Sequence, residues 1–452
     1  MRTSTFSAVA LVALAAVPLA ACGAEDDIGT SEQLAGEGPR LAYEEYQVLF
    51  TNPTCRLYKY GSDQEVYSEA GNKLEAKPKD AFCSSADRKA SAERPSSPQY
   101  KLLEWINDPA TTEIFFTYLS FSNSTVANAL CTAIKERDVK VTFVLDSKTD
   151  VAKANQVLAC KAGSGNAERD PQMFLRGHQG GIGFAHNKLF IVNPHSDRLR
   201  LVFSSGNMSS GVVLHHENWH FITVPASTYF AQVHLCMMEA ELEHYQGKKE
   251  YAGFLASCRQ AIPYKEESDI KSYFAPAEGS RASSALMSGI KAARAIDVGA
   301  HRFAYPTLVR ELKYWLQNHK SDPAVRLVAD DDMYWAGKGE QVGDNMELEY
   351  WNADSLQKRG AQVKWMETNH GEHLLHHNKF LILNMPGSRP SAVFCGAGNL
   401  TSAAFNENWE NFYYVTIPAV VEAFRPQYEH LFGDLATAPE DMPTKNVLPP
   451  TQ

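Results

Sequence analysis

The chain has 452 residues, 44% of them apolar and 21% charged, proportions that exclude a disordered or fibrous polypeptide and at this length point to two or more folded domains. Its 43 Lys and Arg against 53 Asp and Glu give a formal charge of −10, which argues against a diffuse basic surface for non-specific nucleic-acid binding. Any site for anions must be local.

At the N-terminus, Arg2 precedes the apolar run 8–21, too short to span a bilayer and the size of a signal-peptide core, so residues 1–21 are expected to be removed. The junction Leu19-Ala20-Ala21-Cys22-Gly23 resembles the bacterial lipoprotein signal. That resemblance implies cleavage before Cys22, acylation of Cys22, and an extracytoplasmic protein anchored to a cell-envelope membrane, periplasmic or at the cell surface. The alternative, an ordinary secretory signal cut after Ala21, also places it outside the cytoplasm. Residues 22–40 read as a flexible tether, being acidic, Gly-rich and nearly free of large apolar groups. Seven cysteines follow Cys22. Nearest-neighbour pairing would join Cys55 to Cys83, Cys131 to Cys160 and Cys236 to Cys258, leaving Cys395 free; seven reduced, buried cysteines are the other reading.

The body of the chain reads as two copies of one unit, residues 41–262 and 263–437. In the first, a β-like run at 113–121 leads to a helical stretch at 126–137, a second apolar β-branched run at 139–145, and a helical stretch near 151–160. In the second, the matching stretches are 295–303, 308–319, 324–329 and 346–358. Alternating strands and helices predict an α/β fold with mostly parallel mixed sheets. The helical stretch 229–259 reads as the link between copies. Residues 438–452, with Pro439, Pro443, Pro449 and Pro450, read as a disordered tail.

The clearest repeat carries chemistry. AHNKLFIVN at 185–193 recurs as HHNKFLILN at 376–384, and VFSSGNMSS at 202–210 recurs as VFCGAGNLTS at 393–402; Glu-Asn-Trp follows at 217–219 and at 407–409. Side chains two apart share a strand face, so His186 projects with Lys188 and His377 with Lys379. Asn207 and Asn399, flanked by glycine, add amide donors, and Glu217 and Glu407 are carboxylates placed to hold an imidazole in one tautomer.

These motifs resemble the two-motif phospholipase D superfamily, whose signature is HxK, four residues, Asp, then a GSxN-like turn; the resemblance covers roughly residues 47–434. It implies two similar α/β/α domains related by a pseudo-two-fold axis, together building one phosphodiesterase site that requires no metal or other cofactor. One histidine would attack phosphorus to give a phosphohistidine and the other would protonate the leaving alcohol, with water or a second alcohol completing the reaction. His186, in the first motif, is favoured as nucleophile and His377 as general acid. Lys188, Lys379, Asn207 and Asn399 would hold the phosphoryl oxygens, and Glu217 and Glu407 would orient the histidines. Neither half is expected to act alone. Two departures stand out: Asn193 and Asn384 occupy the Asp position, and the turns read Ser204-Ser205-Gly206-Asn207 and Gly396-Ala397-Gly398-Asn399.

Two rival constellations share these residues. His216-Glu217-Asn218-Trp219-His220 matches the HExxH zinc motif, which needs a helix, yet the residues after it are β-rich and the second copy lacks both histidines. His370, His373, His376 and His377 are dense enough to suggest a metal, but their spacing fits no closed zinc site. A loop carrying His373 and His376, with its counterpart at His178, is instead expected to touch substrate. The expected activity is phospholipase D-type, hydrolysing or transferring the phosphatidyl group of phospholipids. Alternatives are a metal-independent nuclease, a cardiolipin-synthase-like transferase, an inactive lipoprotein binding phosphate ligands, and a zinc hydrolase. The expected partners are a phospholipid or other phosphodiester and, through the N-terminal anchor, a membrane; nucleic acid is disfavoured by charge, and a monomer is expected.

Overall fold

The computed structural model describes residues 38–53, 65–74, 91–319, 324–340, 346–368 and 375–446. Cys22, Cys55, Cys83, His370 and His373 lie outside them, as do the signal segment and most of the tether.

The first sheet is built from β1 (Glu45–Thr51), β4 (Glu113–Tyr118), β5 (Lys140–Asp146), β6 (Gln172–Arg176), β7 (Leu189–Val192), β8 (Arg198–Ser204) and β9 (Glu217–Pro225), in the order β1-β9-β8-β7-β4-β5-β6. A small hairpin, β2 (Val66–Tyr67) and β3 (Lys73–Leu74), lies outside it. The second sheet uses β10 (Ile270–Ala275), β11 (Ala295–Ala300), β12 (Val325–Asp330), β13 (Gln362–Met366), β14 (Lys379–Asn384), β15 (Ala392–Gly396) and β16 (Glu410–Val415), in the order β10-β16-β15-β14-β11-β12-β13. Strand for strand, the second order repeats the first, so the duplicated sequence is a duplicated topology.

The expectation of mostly parallel sheets is corrected. Only β4-β5-β6 and β11-β12-β13 run parallel, and the other pairings in both sheets are antiparallel. The reason lies in the connections. Helices Ser124–Arg137 and Ala152–Leu158 carry the chain back between β4, β5 and β6, whereas β7 and β8 are joined by a short loop that reverses direction. The apolar runs of β7 and β14 look like parallel strands in sequence because they too are buried on both faces.

Alternation along the strands divides the core into three layers. Ile114, Phe116 and Tyr118 face outward into one cluster with helices Pro98–Asn107 and Ser124–Arg137, while Phe115 faces inward. The inward faces of both sheets share a single cluster: Phe115, Leu189, Ile191 and Phe203 from the first unit meet Phe380, Ile382, Val393 and Tyr413 from the second. Phe203 and Tyr413 stack at 3.7 Å between ring centroids. The two units therefore fold around common apolar material, and separating them would expose a large apolar surface to water.

The segment between copies forms helices Tyr229–Glu243 and Lys248–Ala261, joined by the Cys236–Cys258 disulfide. Cys131 pairs with Cys160, and Cys395 is free and buried. Closing a 22-residue separation is worth about 3 kcal/mol of stability. Cys236→Ser combined with Cys258→Ser is accordingly expected to lower the unfolding free energy by about that amount, measured by urea unfolding. No helix among the described residues is long and apolar enough to cross a membrane.

The start of the expected tail belongs to the fold. Pro439–Asp441 form a 3-10 turn, Met442 is fully buried, and the backbone of Thr444 donates to Tyr67 on the small hairpin. Met442 fills the apolar cluster of the second unit, an anchor that proline content alone concealed.

Candidate active site

The site forms where β7 and β14 begin, and loops from both units meet there. The backbone N–H of His186 donates to Trp409 at 3.0 Å, that of His216 to Leu375 at 3.0 Å, and Trp409 pairs with Phe184. Each strand entry is also held by an aspartate ending a strand of its own sheet, one strand removed. Asp146, closing β5, accepts from the N–H of Ala185 at 2.9 Å, and Asp330, closing β12, accepts from the N–H of His376 at 2.6 Å.

The carboxylates cross between units. Nδ1 of His186 lies 2.6 Å from Glu410 Oε2, and Nδ1 of His377 lies 3.1 Å from Glu217 Oε1. Both glutamates are fully buried and open their strands, β16 and β9. The asparagine after each glutamate reaches across as well: Asn411 Oδ1 accepts from the N–H of Lys188 at 2.8 Å, and Asn218 Nδ2 donates to Asn378 Oδ1 at 3.0 Å. Gly206 makes room for this arrangement, since a Cβ there would sit 1.8 Å from Glu217 Oε2.

Glu217 thus lies against an imidazole, but that of the opposite unit. The expectation for Glu407 is corrected: it is exposed at the end of helix Ser402–Asn406, and Glu410 takes the position. The Glu-Asn-Trp match at 407–409 misled, because in strand register Trp219 opposite Ser204 corresponds to Phe412 opposite Gly396. Glu410-Asn411-Phe412 is the true copy of Glu217-Asn218-Trp219.

Lys188 Nζ lies 3.1 and 3.0 Å from the two ring nitrogens of His186 and donates to its carbonyl, while Lys379 Nζ donates to the carbonyl of His377 at 2.7 Å. Asn207 is partly exposed, and its Oδ1 is buried without a hydrogen-bond partner among the described residues. Asn399 Oδ1 is 3.3 Å from His301 Nδ1. The ring of His301 lies 4.7 Å from that of His377, and His215 lies 5.4 Å from it on a line that shares Glu217 at 3.1 Å. His215 and His301 are functional candidates that the sequence did not reveal; His301 aligns with Leu119 in the first copy and so leaves no trace in the repeat.

Burial dominates the electrostatics. It pushes His186 below the ordinary imidazole range, with Glu410 pulling the other way, and pushes His377 well below it, helped by Lys379, His301, His215 and Lys188. Burial thus favours the neutral form of both imidazoles until a phosphate brings negative charge to the site. Burial also lowers Lys379 well below its usual value and takes Lys188 down to about 8. A lysine that binds phosphate must be charged, so kcat/KM of a phosphodiester is expected to fall as pH rises through about 8. Stability should move oppositely. The unfolded chain holds the Lys188 proton up to its ordinary 10.5 while the folded chain releases it near 8, so this group's contribution to stability rises with pH across that window. Unfolding free energies and a pH–rate profile on the same protein check both signs.

His215, Glu217 and His377 each offer a ligand atom within 4.8 Å of the others, as do Asp330, Asp331 and Asp332. In the first group the contacts are the hydrogen bonds that hold His377. In the second, Asp330 and Asp331 accept from backbone N–H groups of His376 and Thr368, so both groups have structural duties that a cation would disrupt. The HExxH arrangement does not form: Glu217–Pro225 is a strand, so His216 and His220 do not stand one turn apart on a helix, and His220 is instead 3.0 Å from Tyr46 Oη. His178 is half-buried with Nε2 3.0 Å from Asp146 Oδ1. His376, expected on an open loop, is fully buried, and neither ring nitrogen has a hydrogen-bond partner among the described residues.

Residues 288–432 match the sequence profile of the family described as "Cardiolipin synthase, PLD-like domain", and the first unit repeats the topology of the second. Over this segment the chain carries a phospholipase D-like domain. It is 27% identical over 149 residues to the mitochondrial cardiolipin hydrolase of Xenopus laevis, a match that spans 33% of this chain and 60% of that protein. Among solved structures, phosphatidylserine synthase of Haemophilus influenzae Rd KW20 superposes with a TM-score of 0.52 at 13% identity, covering 75% of this chain and 84% of that one, a likeness of fold.

Within the superfamily pattern, the two asparagines at the Asp position now have a physical account. Asn193, in the left-handed region at φ 54°, accepts from the backbone of Thr112 and Glu113 and donates to Ala110 at 2.9 Å. Asn384 donates to Asp297 at 3.2 Å. Both lie five residues beyond the lysines, roughly 16 Å along an extended strand, so the amides brace the far strand ends.

Proposed function

We propose that this protein is a phospholipase D-type phosphodiesterase that cleaves or transfers the phosphatidyl group of phospholipids through a phosphohistidine. The observation that carries the reading is the crossed pair, His186 with Glu410 and His377 with Glu217, each imidazole held at Nδ1 by the other unit's carboxylate. A carboxylate at Nδ1 fixes the tautomer whose Nε2 carries the lone pair that reacts. His186, with the shorter carboxylate contact, attacks phosphorus as Nε2–P forms and the P–O bond to the leaving alcohol breaks. His377, protonated once the phosphate is bound, gives its proton to that oxygen, and then, neutral, takes a proton from the water or alcohol that displaces His186 from phosphorus. Lys188, Lys379, Asn207 and Asn399 hold the non-bridging oxygens in a water-poor site, where fixed donors count most.

A lipid substrate is supported by the cardiolipin synthase description of the matched profile and by the name of the Xenopus relative. The same description favours a second reading, transfer to an alcohol acceptor in place of hydrolysis. The test is to assay the purified protein on phosphatidylcholine, cardiolipin, single-stranded DNA and a chromogenic phosphodiester, with and without a chelator and with and without glycerol. Cleavage of the lipids but not of DNA, unaffected by chelator, is expected; DNA cleavage alone, or full loss with chelator, would sink the lipid reading.

Location at a cell-envelope membrane through an acylated Cys22 is part of the proposal and is supported by the sequence of residues 1–23 and by the Cys131–Cys160 and Cys236–Cys258 disulfides, which suit an oxidising compartment. Labelled palmitate should enter the wild-type chain and not Cys22→Ser. His178 and His376 are retained in the proposal as groups near the substrate path, and a monomer as the working unit.

A further inference from the structure

Outside the site, one surface of this acidic chain departs from its surroundings. Helices Pro306–Asn318 and Met346–Gln357 enclose a groove of about 540 Å³, whose lining includes Arg310, Lys313 and Arg359. None of these three has a carboxylate within ion-pair distance among the described residues, and Lys313 is lowered from its ordinary value by burial and by Arg359, with no anion opposing. In a chain of net charge −10, three cations on one groove with no carboxylate partner among the described residues are an arrangement that something anionic would complete.

The groove is also rimmed by apolar side chains. Tyr314 is 61% exposed, Leu348 55% and Trp351 48%. Leu348 and Trp351 are three residues apart on one helix and so share a face, with Tyr314 on the other helix lining the groove. Aromatic and aliphatic groups interspersed with lysine and arginine match the water–lipid boundary, where rings sit at headgroup depth and cations meet phosphates.

Its position connects it to the site. Ala304, at the groove's inner end, is three residues from His301, at most about 11 Å of chain, and the intervening Phe303 is bridged to Leu400 beside Asn399. Arg302 and the N–H of Phe303 are both held by Glu349 of the second helix, so the groove and the His301–His377 end of the site are one packed body.

We propose that this groove is a docking surface for a bilayer bearing anionic phospholipid headgroups, with Arg310, Lys313 and Arg359 meeting the phosphates and Tyr314, Leu348 and Trp351 entering the headgroup layer. The inference deepens the lipid reading and rests on it for the identity of the occupant.

The test uses the full chain carrying Cys22→Ser, so that no acyl group confuses the result, in flotation assays with phosphatidylcholine vesicles and with phosphatidylcholine vesicles containing phosphatidylglycerol. Preference for the anionic vesicles is expected. Arg310→Gln, Lys313→Gln and Arg359→Gln together should reduce that preference by roughly 100-fold, at about fivefold per charge, and raised salt should do the same to the parent. Leu348→Ser with Trp351→Ala should weaken binding to both vesicle types, while turnover of a soluble chromogenic phosphodiester stays unchanged in all variants and reports that they fold. Equal binding of parent and triple variant to anionic vesicles overturns the proposal. So does a parent that ignores vesicles but binds single-stranded DNA through the same three residues. If binding behaves as expected while no lipid is cleaved, the docking surface stands and the lipid-cleavage reading falls.

Discussion

His186→Ala and His377→Ala are each expected to cut turnover of a phosphodiester by at least about 10⁴-fold, because groups that act as one unit are lost together when either is removed. The double substitution should be little worse than either single one. That non-additivity distinguishes one shared site from two independent ones, for which each single variant would keep about half the activity. Both histidines are almost fully buried, so circular dichroism and a thermal melt should accompany the rates; a folded, inactive variant is the expected pair of observations. A soluble chromogenic diester is the substrate of choice, since it removes membrane binding from the readout.

The second large effect discriminates between two glutamates three residues apart. Glu410→Gln keeps the shape at the site but replaces the carboxylate 2.6 Å from His186 Nδ1 with an amide that can offer its N–H and select the wrong tautomer. A fall in kcat of roughly 10²- to 10⁴-fold is expected. Glu217→Gln should act similarly through His377. Glu407→Gln should leave turnover unchanged, since that side chain is exposed and outside the site. Rates that fall with Glu407→Gln and not with Glu410→Gln would restore the alignment that the sequence alone suggested and refute the crossed arrangement.

Much of the fold was legible because duplication doubles every signal. His-Asn-Lys followed by a continuous apolar strand, and the Gly-Asn turn after the next strand, appear twice, and both copies land at matching positions of matching sheets. The helical stretch after residue 229 could also be read, though not its division into two helices, and Cys236–Cys258 and Cys131–Cys160 follow the nearest-neighbour pairing that was one of the two readings. Strand direction could not. A strand buried on both faces has the same apolar run whether its neighbour is parallel or antiparallel, and only the loop after β7 carries the difference. Met442 shows a similar limit: one apolar residue among prolines looks like a tail until the cluster that receives it is assembled.

In the site, the sequence named His186, Lys188, His377, Lys379, the two asparagines and Glu217 as candidates within each copy. It did not show which of them pair across the two copies. Nothing near Glu217 in sequence says that it faces His377, 160 residues away, and the choice of Glu407 over Glu410 followed from matching a tryptophan where the fold matches Trp219 to Phe412. Asp146 and Asp330 did leave a signal, an aspartate closing the second strand of each copy, and their shared task of holding the N–H before each histidine becomes visible only when β5 and β12 are placed beside the site. His301 left none, having no counterpart in the first copy.

The central claim is that two duplicated halves build one phosphodiester-cleaving site with a histidine nucleophile. The direct measurement is to mix the protein with a chromogenic phosphodiester, quench in alkali, where phosphohistidine survives, and map the adduct by peptide mass spectrometry. The account predicts a single labelled histidine per chain, at His186, absent from His186→Ala and accumulating in His377→Ala. Label on both histidines of one chain, or steady turnover with no histidine adduct at any time, would contradict it.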